Sequence, residues 1–338
     1  MAKSTLIKFI FIALGIIGFL PAISQKEIKL SSPNGKIVTT IRIDKLGIMY
    51  QVVFEKTTLV SWSKLSLTIN NKEFGTSLTM TKPVYKDSIE KYELIIGKAK
   101  NVEAHYKEVK LPLQERESPH TKINLVFRAF DEGIAFRYQL VSQDNTETFS
   151  LNDELNEFRL TGNPIAKVLP LPSYSTSHEG FYTTASLNEL PSNTLMDMPA
   201  LFQFPGNTFM AITEAALLDY AGMYLMKENN VLRSKLSPLP SQPDIKVKGK
   251  FPHQSPWRVI MISHSVGDFI SSNILTMLSP PQKIIDASWI KPGKTTFPWW
   301  NGNIVPDTLN APGNNFVTQK YYIDFCHRNK IEYHSVVE

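Results

Sequence analysis

Cysteine is almost absent: Cys326 is the only one in 338 residues, which excludes an internal disulfide framework. Clusters of Lys and Arg are absent too. The 36 basic and 31 acidic side chains leave a net charge of +5 spread along the chain, which argues against nucleic acid as a partner. A membrane-spanning helix needs about 20 apolar residues, and the apolar run at residues 9–20 stops at twelve. Internal repeats and low-complexity tracts are missing as well. What remains is 42% hydrophobic and 20% charged, a globular composition with material for one large domain or two.

The short apolar run gains meaning from its position. It follows Lys3 and Lys8 and precedes Pro21, Ala22 and Ser24, the arrangement of a secretory signal peptide over residues 1–24, cut before Gln25. A membrane anchor competes with this reading, and the length disfavours it. No cysteine adjoins the cut to take a lipid. An exported chain without disulfides is expected to be periplasmic or secreted, with no membrane span after cleavage, and it fits a bacterial periplasm best.

From Gln25 to about Ser288 the chain reads as nearly continuous β-structure. Residues 36–43 place Ile37, Thr39, Ile41 and Ile43 on one face, and Asp44-Lys45-Leu46-Gly47 turns the chain into Ile48, Tyr50, Val52 and Phe54. Residues 122–130 and 134–140 repeat the hairpin around Asp131-Glu132-Gly133. More than a dozen such alternating runs predict antiparallel sheets packed face to face in a large sandwich. Residues 268–278 predict a short helix capped by Asp268 and ended before Pro280-Pro281.

After Lys291-Pro292-Gly293-Lys294 the pattern changes. A strand over 295–300 and a loop over 301–315 precede a helix of about fourteen residues capped by Asn315, with Val317, Tyr321 and Phe325 on one row. A second strand over 331–337 completes a parallel crossover unit. Cys326 on the helix reads as a buried small hydrophobe.

Within the β-region, Thr208 to Ala215 carries the sharpest candidate. Met210, Ile212 and Glu214 share one strand face, so a carboxylate emerges in line with core residues and needs a cation, donors or water. A solvated strand-end glutamate is the plain alternative. Glu179 lies in a proline-bounded loop, Ser173-Tyr174-Ser175-Thr176-Ser177-His178-Glu179-Gly180-Phe181-Tyr182, rich in hydroxyls and aromatics, where an ordinary turn is the plain alternative. His178 alone reads as a surface histidine. Trp289, Trp299 and Trp300 either pack a domain junction or stack on a sugar.

Asp131-Glu132-Gly133-Ile134-Ala135-Phe136-Arg137-Tyr138, Ile212-Thr213-Glu214-Ala215-Ala216, Trp257-Arg258-Val259-Ile260 and Ala287-Ser288-Trp289-Ile290-Lys291-Pro292-Gly293-Lys294, in this order, resemble glycoside hydrolase family 97. The resemblance implies a periplasmic α-glucosidase or α-galactosidase that cleaves α-linked glucose or galactose from oligosaccharides with help from calcium. It implies a mutarotase-like β-supersandwich over residues 25–290, a catalytic (β/α)8 barrel opening at 291–338, and a small C-terminal β-domain. Such a barrel takes about 250 residues, and 291–338 provides two strands and one helix. The chain is therefore expected to be an N-terminal fragment, inactive alone, that partners the missing barrel and C-terminal domain of the same enzyme. No catalytic residue is assigned: the carboxylate pair is expected in the barrel, and Glu338 at the chain end is not a pair. The resemblance makes Glu214, and secondarily Glu179, calcium ligands; at the carboxyl end of the first barrel strand, one of Trp299 and Trp300 would reach the sugar pocket of the intact enzyme, with Asn301 a weaker candidate for a hydroxyl contact. A non-catalytic carbohydrate-binding β-sandwich is the alternative. A mutarotase-type isomerase would need a His and carboxylate pair in a pocket, which the sequence does not assemble.

Overall fold

The computed structural model of the chain describes residues 26–44, 47–144, 146–306 and 312–336. The expected signal peptide, Lys45 and Leu46 of the first turn, and Glu338 lie outside the described residues.

Two large antiparallel sheets face each other. The first runs, edge to edge, through Lys26–Ser31, Ile37–Asp44, Gly47–Phe54, Thr57–Leu65, Glu157–Leu160, Val231–Leu236, Met223–Glu228, Leu195–Met196 and Pro170–Leu171. The second runs through Thr183–Ser186, Ile165–Val168, Ala200–Phe204, Thr208–Ala215, Trp257–Ser263, Gly133–Leu140, Lys122–Phe130, Asn101–Glu115 and Leu78–Met80. A smaller sheet of Val247–Lys250, Thr148–Glu154, Leu67–Ile69 and Lys72–Phe74 adjoins them.

The strand period of two sorts the side chains. Ile41, Tyr50 and Val52 of the first sheet meet Leu125, Phe127, Phe136 and Ile260 of the second in one core, all of them buried. Tyr50 lies 5.5 Å from Phe136 and 6.2 Å from Phe127 between ring centroids, tilted as aromatic quadrupoles favour. Tyr50 keeps its hydroxyl satisfied by donating to the Glu157 carbonyl at 2.9 Å. Alternate residues of the second sheet, among them Ala211, Ala215, Trp257 and Val259, form a second cluster on its outer face under Ile274 and Leu278. The large β-sandwich that the sequence predicts is the fold observed.

Local boundaries depart from the expectations in places. The single helix over 268–278 is two short ones, Val266–Ser271 and Ile274–Leu278. The cap is Ser265, whose side chain accepts from the Gly267 N–H at 3.3 Å, and not Asp268. Asp268 instead takes the Ser263 hydroxyl. The strand over 295–300 shrinks to Thr295–Thr296, because Pro298 fits the start of a 3-10 turn, Pro298–Asn301. Likewise, of the strand expected over 331–337, the described residues 331–336 keep Tyr333–His334 as strand. The pair is parallel, as expected, with Thr295 opposite Tyr333. The helix between them, Phe316–Asn329, is capped by Asn315, which accepts from the Thr318 N–H at 3.0 Å. It buries Thr318 and Cys326 and leaves Val317 and Phe325 exposed.

The Asp131-Glu132-Gly133 hairpin shows why one glycine is required. A Cβ on Gly133 would stand 2.3 Å from the Ile260 carbonyl oxygen and 2.9 Å from the Met261 Cα, both on the neighbouring strand. Gly133→Ala is expected to lower stability by about 2–4 kcal/mol through this backbone clash. Gly206→Ala, where nothing lies within 4 Å and only the left-handed φ of 74° resists, is expected to lose about 1–2 kcal/mol. Urea unfolding of the two variants checks the order, and equal losses would contradict it.

Candidate functional site

Glu214 lies where its strand pattern places it. It follows the core residues Met210 and Ile212 on the inner face of the second sheet, and the register sets it opposite Arg258. Arg258 has no exposed surface and holds two carboxylates. Its Nε and Nη2 donate to Glu154 at 2.8 and 2.6 Å, a side-on fork, and its Nη1 donates to Glu214 at 2.5 Å. Glu154 is also wholly buried and takes a further hydrogen bond from the Asn156 amide at 2.8 Å, while the Asn156 carbonyl accepts from the Tyr138 hydroxyl at 2.6 Å.

Glu214 differs from Glu154 in reaching the edge, with 16% of its side chain exposed. Past it the chain loops through Ala216, Asp219 and Gly222 and enters the first sheet at Met223. The Met223 N–H donates back to both Glu214 oxygens at 3.2 and 3.3 Å. Glu214 thus ties the end of a second-sheet strand to the start of a first-sheet strand. Burial holds its carboxyl above the usual carboxylate range, while Arg258 and the Met223 N–H pull it down and the charge of Glu154 adds to the rise.

The next residue, Tyr224, links this carboxylate to the Glu179 loop. Its ring meets Tyr174 edge-on at 5.1 Å and His178 at 6.0 Å. Its hydroxyl is pushed up by burial first, then by the charges of Asp197 and Glu214. His178 Nδ1 lies 2.7 Å from Asp197 Oδ2, and Asp197 Oδ1 accepts from the Met198 N–H. Beside this pair Glu179 is exposed and has no hydrogen-bonding or ion-pair partner among the described residues, and Phe181 and Tyr182 are 96% and 64% exposed. One corner of the sandwich therefore gathers Glu214, Tyr224, the His178–Asp197 pair and the Glu179 loop. His178 and Asp197 bond to each other and so act as one group. The structure thus brings together a histidine and a carboxylate that the sequence does not assemble.

Trp299, Trp300 and Asn301 stand elsewhere, on the exposed Pro298–Asn301 turn. Trp299 packs on Phe297, and the Asn301 amide reaches the Tyr322 hydroxyl at 3.4 Å. Among the described residues no hydrogen bond, ion pair or ring contact joins them to the corner. Trp289 is 68% exposed and packs no junction between described elements.

Glu179 suits a calcium ion as a free, hard oxygen donor. Glu214 suits it less, because its carboxylate is shared with Arg258. Among the described residues no three His, Cys, Asp or Glu side chains come together to hold a metal.

Sequence reasoning missed Arg258, Glu154, Asp197, Tyr224 and Asp153. For Arg258 a signal existed, since it stands in the Trp257-Arg258 motif and opposite Glu214 once the two strands pair. For Glu154 and Asp197 none existed, because each meets its partner only through tertiary packing, Glu154 from a strand of the small sheet and Asp197 from beyond the Leu195–Met196 strand. Asp153 lies near Tyr174, and burial raises its carboxyl to about 6, with Lys235 and Lys246 pulling against the rise. Between the ordinary value of 3.8 and about 6 the folded state holds more protons than the unfolded chain, so stability falls as pH rises through that window. Asp153→Asn is expected to remove up to about 3 kcal/mol of that pH-dependent loss. Chemical denaturation at pH 4 and pH 7 measures it, and an unchanged pH slope would contradict the assignment.

The family description "Glycosyl-hydrolase 97 N-terminal" matches residues 30–281. A retaining alpha-galactosidase of Bacteroides thetaiotaomicron is 28% identical over 96% of this chain and 52% of its own length. A probable retaining alpha-galactosidase of Streptomyces bingchenggensis is 22% identical over 89% and 42%. The chain thus spans about half the length of the curated relatives it matches. A family 97 enzyme from Pseudoalteromonas sp. strain K8, solved in complex with panose, superposes with a TM-score of 0.83 at 27% identity, over 91% of this chain and 46% of that one. A beta-arabinopyranosidase shares the fold, at a TM-score of 0.76 and 18% identity over 92% of this chain and 50% of that one. The order of the four motifs, the paired large sheets and the match over residues 30–281 agree: the chain belongs to glycoside hydrolase family 97.

Proposed function

We propose that this chain is the β-sandwich part of an exported α-glycosidase that removes α-linked galactose or glucose from oligosaccharides. The observation that carries the reading is the likeness, over nearly the whole chain, to a retaining alpha-galactosidase. The corner described above supports it, since an exposed carboxylate, exposed aromatic rings and a hydrogen-bonded imidazole are what a sugar cleft uses along its rim.

Retaining hydrolysis needs two carboxyl groups about 5–5.5 Å apart, one to protonate the leaving oxygen and one to attack the anomeric carbon. Glu214 is tied to Arg258 and Met223, so it can neither attack nor donate freely. Glu179 has no second carboxyl bonded to it and no ion-pair partner among the described residues. In this reading the catalytic pair belongs to a barrel that the parallel Thr295–Thr296 and Tyr333–His334 unit begins. The sandwich supplies a wall and one or two oxygens toward a bound calcium. The ion would hold the cleft's carboxylates ionised; Glu179 would turn its carboxylate toward it, and His178 and Asp197 would fix the loop on which Glu179 sits.

The test is hydrolysis of p-nitrophenyl α-galactoside and α-glucoside by residues 25–338, alone and with calcium. No turnover is expected from this chain alone. Turnover at an ordinary enzymatic rate would overturn the division of labour and place a carboxylate pair within the sandwich. A non-catalytic sugar-binding role is the other outcome, shown by calcium-independent binding of maltose-like or galactose-like sugars in calorimetry.

A further inference from the structure

The outer face of the second sheet carries a cationic cleft that the proposed function does not use. Trp257 and Arg258 are neighbours on one strand and so point to opposite faces. Arg258 goes inward to the two glutamates, while Trp257 goes outward and forms the floor of a cleft of about 450 Å³ between residues 252–257 and the end of the Ile274–Leu278 helix.

Two guanidinium groups lie against that indole. Arg137 sits 4.3 Å from the ring centroid and Arg128 4.9 Å, and Arg128 also lies 4.3 Å from the Tyr106 ring. Their neutralisation is unequal. Arg128 donates through Nε to Glu108 at 2.7 Å. Arg137 has no hydrogen bond or ion pair among the described residues, and its Nε is buried without any acceptor. The acid that lines the cleft, Glu90, is committed to Lys86 and the Tyr106 hydroxyl. Lys86 is thus paired with Glu90 and Arg128 with Glu108, and Arg137 is the cleft cation without a carboxylate partner among the described residues. Burial and then repulsion by Arg128 pull its guanidinium down to about 10, with Glu108 acting the other way. A protein that needed Arg137 only for packing would gain from an apolar residue there.

We propose that this cleft binds a small monocarboxylate of the size of one sugar acid, with the carboxylate on the Arg137 fork and the hydroxylated ring toward Gln254. One unpaired cation calls for a monoanion. A guanidinium takes a carboxylate through two parallel N–H donors. The volume suits a monosaccharide ring and far exceeds a bare carboxylate. Gln254, exposed at the cleft and with no side-chain hydrogen bond among the described residues, offers both a donor and an acceptor to hydroxyls. The site lies on the opposite sheet face from Glu214, so it stands or falls independently of the glycosidase reading.

Calorimetry on the chain in buffer free of sulfate and phosphate tests it with D-galacturonate and D-glucuronate, against acetate, D-galactose and D-glucose. At least one uronate is expected to bind ten times more tightly than acetate and than either neutral sugar. Arg137→Lys is expected to weaken that binding about tenfold and Arg137→Met to abolish it, with unfolding curves confirming that each variant is folded. If Arg137→Met does not fold, the Lys variant and the wild-type ligand series still decide. Uronate binding no tighter than acetate, or unchanged in Arg137→Lys, overturns the proposal.

Discussion

A guanidinium with no exposed surface loses its hydration and needs carboxylates that are fixed before it arrives. Arg258 has two, and they differ in kind. Glu154 meets it side-on in full burial, held by the Asn156 amide. Glu214 meets it through one nitrogen at the edge of the sandwich. Two negative charges on one positive leave an acidic excess, and it resides on the partner nearest solvent. Burial is the main cause of the raised Glu214 carboxyl; the arginine and the Met223 N–H pull against it, and the charge of Glu154 adds a smaller push upward.

The same arrangement sets the geometry of the corner. Three strands from three sheets meet at Arg258: its own in the second sheet, that of Glu154 in the small sheet, and through Glu214 the entry to Met223–Glu228 in the first. Tyr224, one residue beyond that entry, supports Tyr174 and His178 and thereby the loop that presents Glu179. A buried ionic centre thus positions an exposed loop through packed rings, over elements far apart in sequence. Such pairs contribute little net stability against apolar replacements, yet removing one member is costly. Specificity of position is the use this structure makes of the pair.

The strands of the sandwich are legible because their inward residues recur at every second position in stretches such as 122–130 and 134–140, even where Val126, Phe130 and Ala135 add apolar residues to the outer face. The glycine of the Asp131-Glu132-Gly133 turn marked a place where another backbone passes close. Proline signals were less well read: Pro298 converts the second half of an apolar run into a 3-10 turn, and that moves Trp299 and Trp300 to an exposed turn. At the site, the direction of Glu214 followed from strand period, whereas its partner did not. Pairing Glu214 with Arg258 requires the register between two strands more than forty residues apart, and pairing Arg258 with Glu154 requires the packing of a third sheet. Asp197 beside His178 comes from the far side of a hairpin-like excursion that no local pattern signals. Period is a local property, but neutralising a buried charge is a tertiary one.

The most direct test of the central role given to Arg258 is the unfolding free energy of Arg258→Met alone and together with Glu154→Gln. The account predicts a loss of about 3–5 kcal/mol for the single variant, because Glu154 is left charged and buried. Most of that loss should be recovered in the double variant. A single variant within 1 kcal/mol of the parent, or a double variant no better than the single, would contradict it.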